Sequence, residues 1–208
     1  MWGWLTRKPQ HSAPEAGPPL RWTLVPLGNP GDEYAGTRHN LGRLLLQRWM
    51  AARQGPESLR EFKTGTLYRL QGGFQALVPA TYMNLSGQVC AEAVAAGLDP
   101  GRIILLHDDK DLPLGLGRFR LEGSDGGHNG LRSVFQHLGS QSITRLRLGI
   151  GPFTRPLDQF VLGQWTEAEW RCIEALDAPF GRFLELLAAA QELAALPALV
   201  NAEGFWRT

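Results

Sequence analysis

From residue 22 onward, short apolar runs alternate with stretches in which apolar residues recur every three or four positions. Trp22–Leu27 predicts a strand, and Gly28-Asn-Pro-Gly31 ends it with turn chemistry. Leu41, Leu44, Leu45, Trp49 and Ala52 share the spacing of one helix face, stopped at Gly55. Two strand-like runs follow, Phe62–Leu70 and Phe74–Val78, joined through Gln-Gly-Gly as a hairpin. A helix of small residues lies between Leu85 and Gly97. Ile103–Leu106 is apolar throughout, as suits a strand buried on both faces. Gly117–Leu121 predicts a strand, His128–Leu138 a helix and Ile143–Ile150 another strand. Thr166 and Glu169 form a capping box for a long final helix, bent or broken at Pro179. Such interleaving implies an α/β fold: a single three-layer domain over residues 21–208, with a twisted mixed β-sheet flanked by helices. Residues 1–20 hold four prolines and no periodic pattern, so they are expected to form a flexible N-terminal arm.

Composition narrows the class. A chain of 208 residues that is 43% apolar and 20% charged fits one globular domain. No apolar run approaches the roughly 18 residues of a membrane span. The net charge of +1 conceals a partition: residues 113–155 carry six arginines and two acids, whereas 156–208 carry three basic and eight acidic residues. A polyanionic partner is therefore admissible at the middle section. Two cysteines cannot build a disulfide framework and no apolar signal opens the chain, so a cytoplasmic address is expected. Arg7 and Lys8 leave a mitochondrial leader as the alternative.

Four stretches are too polar and glycine-rich to serve packing alone: Gly28–Gly31 with Thr37-Arg-His-Asn40, Thr81–Asn84, His107–Asp111 and Gly126–Gly130. Each falls at an element end, where open α/β sheets bind ligands. His39, just ahead of a helix whose apolar face is already supplied, can titrate near neutrality and face a cleft. Asp108, directly after the buried strand, can fix an imidazole tautomer and stabilise its protonated form. Each has a bland counterpart, a helix-entry residue for His39 and a solvated acidic turn for Asp108, and the turn suits Asp109 and Asp111 better. Asn29, Asn84 and Asn129 adjoin glycines or strand ends. Asparagine can grip an ester or amide carbonyl without competing for a proton, and equally can serve turns. Walker and Gly-x-Ser-x-Gly motifs are missing, and Cys90 falls in an alanine-rich helix as packing. A metal site from His39, His107, Asp108, Asp111 and His128 lacks the spacing of common zinc motifs.

Together these segments are specific. Leu27-Gly-Asn-Pro-Gly-x-x-Tyr34, Thr37-Arg-His-Asn40, Tyr82-Met-Asn-Leu-Ser-Gly87, His107-Asp-Asp-Lys-Asp-Leu-Pro113, Gly126-Gly-His-Asn-Gly-Leu131 and Arg145-Leu-Arg-Leu-Gly-Ile-Gly151 occur in order. The chain from about residue 22 resembles the bacterial-type peptidyl-tRNA hydrolase family. That resemblance implies hydrolysis of the ester joining a peptide to tRNA, recycling tRNA from abandoned translation. It implies His39 as general base, Asp108 as its supporting carboxylate and Asn29 as the reader of the peptide beside the ester. Asn84 and Asn129 would position substrate and water; Tyr34, Tyr82, Met83 and His128 would line the crevice, and Arg120 and Arg147 would meet tRNA phosphates. No metal or organic cofactor is implied, peptidyl-tRNA is the partner, no membrane is involved and a monomer is expected. A non-catalytic RNA-binding protein on the same fold is the alternative, disfavoured because His39, Asp108, Asn29 and Asn84 are all present. Pro26 departs from the family's usual small residue and suggests a sheet edge or bulge. The basic stretch some members carry after Gly-Ile-Gly is reduced to Arg155.

Overall fold

The computed structural model describes residues 21–53, 55–153 and 156–207. The expected arm, residues 1–20, and Arg155 lie outside them. Seven strands form one sheet: β1 (Trp22–Pro26), β2 (Glu57–Phe62), β3 (Gly65–Arg69), β4 (Phe74–Pro79), β5 (Ile103–Pro113), β6 (Gly117–Arg120) and β7 (Thr144–Gly151). Their order across the sheet is β2-β3-β4-β1-β5-β7-β6. The inner strands β4, β1, β5 and β7 run parallel, with antiparallel strands at both edges.

Alternation along the inner strands feeds two cores. Leu24, Leu106, Leu146 and Leu148 join one side, packed by α1 (Leu41–Ala51), α5 (Glu167–Ala175), α6 (Asp177–Ala189) and α7 (Leu196–Val200). Val25, Leu27, Leu77 and Leu105 join the other, beneath α2 (Gly87–Ala95) and α3 (Asn129–Leu138). A short α4 (Leu157–Val161) follows β7. Close approach explains Gly42 in α1: a Cβ there would lie 2.5 Å from the Leu106 carbonyl oxygen of β5. At the β6 edge the Asn201 side chain stands in for a strand. It accepts from the Phe119 amide at 2.8 Å and donates to its carbonyl at 3.0 Å.

Several expectations change. The run Phe62–Leu70 is not one strand, because β2 and β3 meet in a turn after Phe62 and β2 begins at Glu57. Pro26 is not at an edge, since β1 lies at the centre of the sheet. It is tolerated because Leu27 donates to Leu106 on the β5 side, which turns the Pro26 nitrogen toward β4. There the ladder has already ended at Leu24–Ala76. The expected final helix is three pieces; the first break falls at Leu176, and Pro179 sits in the opening turn of α6, where a missing N–H is harmless. The acidic segment after Leu106 is strand rather than turn, carried on by β7 as far as Asp109 before the register shifts.

Candidate active site

The chain runs from β1 through α1 to β4 on one side, then from β4 through α2 to β5 on the other, so the sheet's order reverses at β1. Ligands bind outside the carboxyl ends of strands at such a reversal. A crevice of about 1390 Å³ opens there, lined by Asn29, His39, Met83, Asp108 and His128 among others.

His39 lies on a short 3-10 turn, Arg38–Asn40, leading into α1. Its Nδ1 is 2.9 Å from Asp108 Oδ1 and 3.1 Å from Oδ2. A carboxylate only accepts, so Nδ1 carries the proton and Nε2 keeps its lone pair for the crevice. Burial pushes the His39 pKa down, but the charge of Asp108 and its hydrogen bond outweigh burial and leave it above 6.5. Asp108 is itself buried, which alone would favour its neutral form. The electrostatic pull of the His39 and His128 rings and the hydrogen bonds they donate hold it ionised, well below the usual carboxylate range.

His128 caps α3. Its Nδ1 accepts from the amides of Gly130 and Leu131 at 3.1 and 3.2 Å. That requires the proton on Nε2, which donates to Asp108 Oδ1 at 2.9 Å. The ring expected to face substrate thus also supports the carboxylate. His107 is the counterpart that stays apart: Nδ1 donates to the Asp108 carbonyl at 2.7 Å. Burial first, and then the neighbouring His128 ring, pushes its pKa down to about 3, so it stays neutral.

Asn29 is aimed by its neighbours. Asn40 accepts from its amide at 2.8 Å and donates to its carbonyl at 2.9 Å. The Met83 amide donates to Asn29 Oδ1 at 2.8 Å, leaving Nδ2 as the group offered to the crevice. Arg43, buried beneath, donates to the carbonyls of Gly28 and Pro79 and ties the two loops together. Asn84 and Asn129 are exposed at the rim. Tyr34 packs edge-on against Tyr82 at 6.2 Å between ring centres, and Tyr82 reaches the rim. Arg120 is exposed at the end of β6. Arg147, which has no acidic neighbour in sequence, gains one in space: its Nε donates to Asp109 at 2.6 Å.

Four supporting residues escaped sequence reasoning: Arg38, Asn40 and Arg145, whose segments were singled out, and Arg43, inside α1. The first two flank His39, which was the available signal. Arg145 is buried and donates to the carbonyls of Ile143, Ser124 and Gln141, bracing the loop that leads to His128.

Chemically, the site offers an oriented imidazole base, a buried anion behind it and amide donors, but no activated hydroxyl or thiol. Ligand atoms of His39, Asp108 and His128 lie within 4.8 Å of one another, close enough to gather a metal ion. Both nitrogens nearest the carboxylate already donate to it at 2.9 Å, so an ion would have to replace both bonds.

Known proteins resemble this chain in sequence and in fold. The sequence pattern of the peptidyl-tRNA hydrolase family matches residues 23–203. A peptidyl-tRNA hydrolase of Synechococcus sp. (strain CC9902) is 45% identical over 168 residues, covering 74% of this chain and 81% of that protein. One from Thermotoga petrophila is 43% identical over 156 residues, covering 71% and 80%. The crystal structure of peptidyl-tRNA hydrolase from Acinetobacter baumannii superposes with a TM-score of 0.75 at 31% identity, covering 89% of this chain and 96% of that one. By sequence and fold alike, the chain belongs to the peptidyl-tRNA hydrolase family.

Proposed function

We propose that the protein hydrolyses the ester between the peptidyl group and tRNA in peptidyl-tRNA, releasing tRNA from abandoned translation. His39 Nε2 takes a proton from water as the water oxygen attacks the ester carbonyl. Asp108 stabilises the imidazolium that forms, and Asn29 Nδ2 with Asn84 and Asn129 holds the substrate's carbonyl and amide groups. The imidazolium then returns its proton to the departing ribose oxygen, leaving tRNA with a free hydroxyl and the peptide as an acid. An ester is already activated, so no covalent intermediate is needed. The single observation that carries this reading is the His39–Asp108 contact, which leaves Nε2 unprotonated toward the crevice.

Arg120 and Arg147 fit phosphate contacts near the acceptor end, positioning without reading sequence. Peptidyl-tRNA arises where translation runs, so the proposal includes a cytoplasmic address, and with it a monomer, which sedimentation would check. A purely RNA-binding role is not favoured, because it has no use for the buried dyad. The deciding experiment incubates the protein with an N-acetylaminoacyl-tRNA and with its free aminoacyl counterpart, with and without chelator. Chelator-resistant hydrolysis of the blocked substrate alone is expected; binding without hydrolysis would refute the proposal.

A further inference from the structure

The ladder between β1 and β4 stops early, and both strands contribute the reason. Its last pair is Leu24–Ala76, although β1 runs on to Pro26 and β4 to Pro79. Amide directions alternate along a strand, so the Pro26 nitrogen turns toward β4, as Leu27 turns toward β5. By the same alternation the Ala80 amide, which donates to Thr64 on the β3 side, turns the Pro79 nitrogen toward β1. Neither nitrogen carries a hydrogen. Two prolines thus line the gap where the strands open into the loops of Asn29 and Met83, and neither can donate across it.

Arg43 supplies donors there. It is buried in the first turn of α1. Its two terminal nitrogens donate to the Gly28 carbonyl at 2.9 Å, beyond β1, and to the Pro79 carbonyl at 2.5 Å, at the end of β4. A planar guanidinium fork bridges two strands at a fixed spacing, whereas an ammonium is a compact donor on a flexible stem. Taking such a charge out of water is costly. Burial pushes the Arg43 pKa down to about 10, which still leaves it cationic at neutral pH. Gly28 is pressed onto it: a Cβ there would lie 3.0 Å from Arg43 Cδ and 3.0 Å from Asn40 Oδ1.

The spacing matters just above this clamp. Asn29 Oδ1 accepts from the Met83 amide at 2.8 Å, a bond between the two loops whose roots Arg43 joins. That bond leaves Nδ2 for the substrate. Arg43 itself does not line the crevice. We propose that Arg43 is a positioning residue: standing in for the backbone donors that Pro26 and Pro79 lack, it sets the loop separation at which Met83 aims Asn29. It thereby governs the preference for blocked over free aminoacyl-tRNA without touching the substrate. This rests on the hydrolase reading above and adds a specificity determinant to it.

The test measures kcat/KM for an N-acetylaminoacyl-tRNA and for its free counterpart in the unaltered protein, Arg43→Met, Arg43→Lys, Asn29→Ala and the double variant Asn29→Ala/Arg43→Met. Arg43→Met keeps an unbranched stem and removes every donor. It should lower the blocked-to-free ratio about tenfold, the worth of one hydrogen bond, with Arg43→Lys in between. On the Asn29→Ala background the same change should leave the ratio where it is, because the residue being positioned is gone. If Arg43→Met does not fold, Arg43→Lys with and without Asn29→Ala reads the same coupling. An unchanged ratio, or an equal loss on both substrates, overturns the inference and leaves Arg43 to the fold. So does an effect at residue 43 that adds in full to that of Asn29→Ala. If the unaltered protein cleaves neither substrate, the hydrolase reading itself falls and takes this inference with it.

Discussion

Replacing Asp108 by Asn separates charge from geometry at the centre of the site. Asp108 Oδ1 accepts from both His39 and His128 at 2.9 Å. An asparagine oxygen can accept both bonds, so the His39 tautomer survives and the anion alone is lost. Imidazolium and carboxylate centres about 4 Å apart attract by about 4 kcal/mol at an effective dielectric near 20. Only the part of that attraction developed as the proton arrives counts toward the barrier. A loss of about 2–3 kcal/mol, or roughly 10² in kcat, is the expected result. The pH profile supplies an independent sign. The base must be neutral, so the rate rises with pH through the His39 ionisation, which the carboxylate holds above the reference of ~6.5. Without the carboxylate, burial acts unopposed and the acid limb should move to lower pH, below that reference. Stability runs the other way: the ion pair stabilises the fold at low pH, and that contribution fades as pH rises through the raised value. Single-turnover hydrolysis of N-acetylaminoacyl-tRNA from pH 5 to 8 reads both quantities. An acid limb that stays in place, or a kcat that does not fall, would refute the assignment of Asp108 as the anion behind the base.

His39→Ala should lower kcat by roughly 10²–10⁴ with tRNA binding nearly intact, as filter binding beside initial rates will show. Asn29→Ala should narrow the preference for blocked over free aminoacyl-tRNA, because Nδ2 loses its partner on the substrate amide. Equal loss on both substrates would reduce Asn29 to a turn residue. Arg147→Ala should raise KM for peptidyl-tRNA with little change in kcat and reduce the salt slope by about one. A substrate carrying only the terminal nucleotide should not respond. Because Asp109 holds Arg147 at 2.6 Å, Asp109→Asn should tighten tRNA binding, and a null result there would mean that the pair already turns toward phosphate.

The mixed sheet flanked by helices and the position of each chemistry-bearing loop were legible in the sequence, because apolar runs, helix spacing and glycine-bounded turns are local properties. His39, Asp108 and Asn29 could be singled out one by one, since a polar residue at the end of an apolar run has no packing role to explain it. What they do to one another was not local. Asp108 is 69 positions from His39 and 20 from His128, and only the parallel pairing of β1 with β5 and the capping of α3 bring the three together. Pro26 looked like an edge residue because the sequence does not say which side of β1 loses its ladder first. Arg147 looked unpaired because its partner lies on the adjacent strand, 38 positions away. Tertiary structure alone leaves Leu157 and Leu162 exposed on the crevice, while Phe160 of the same helix packs on Arg38.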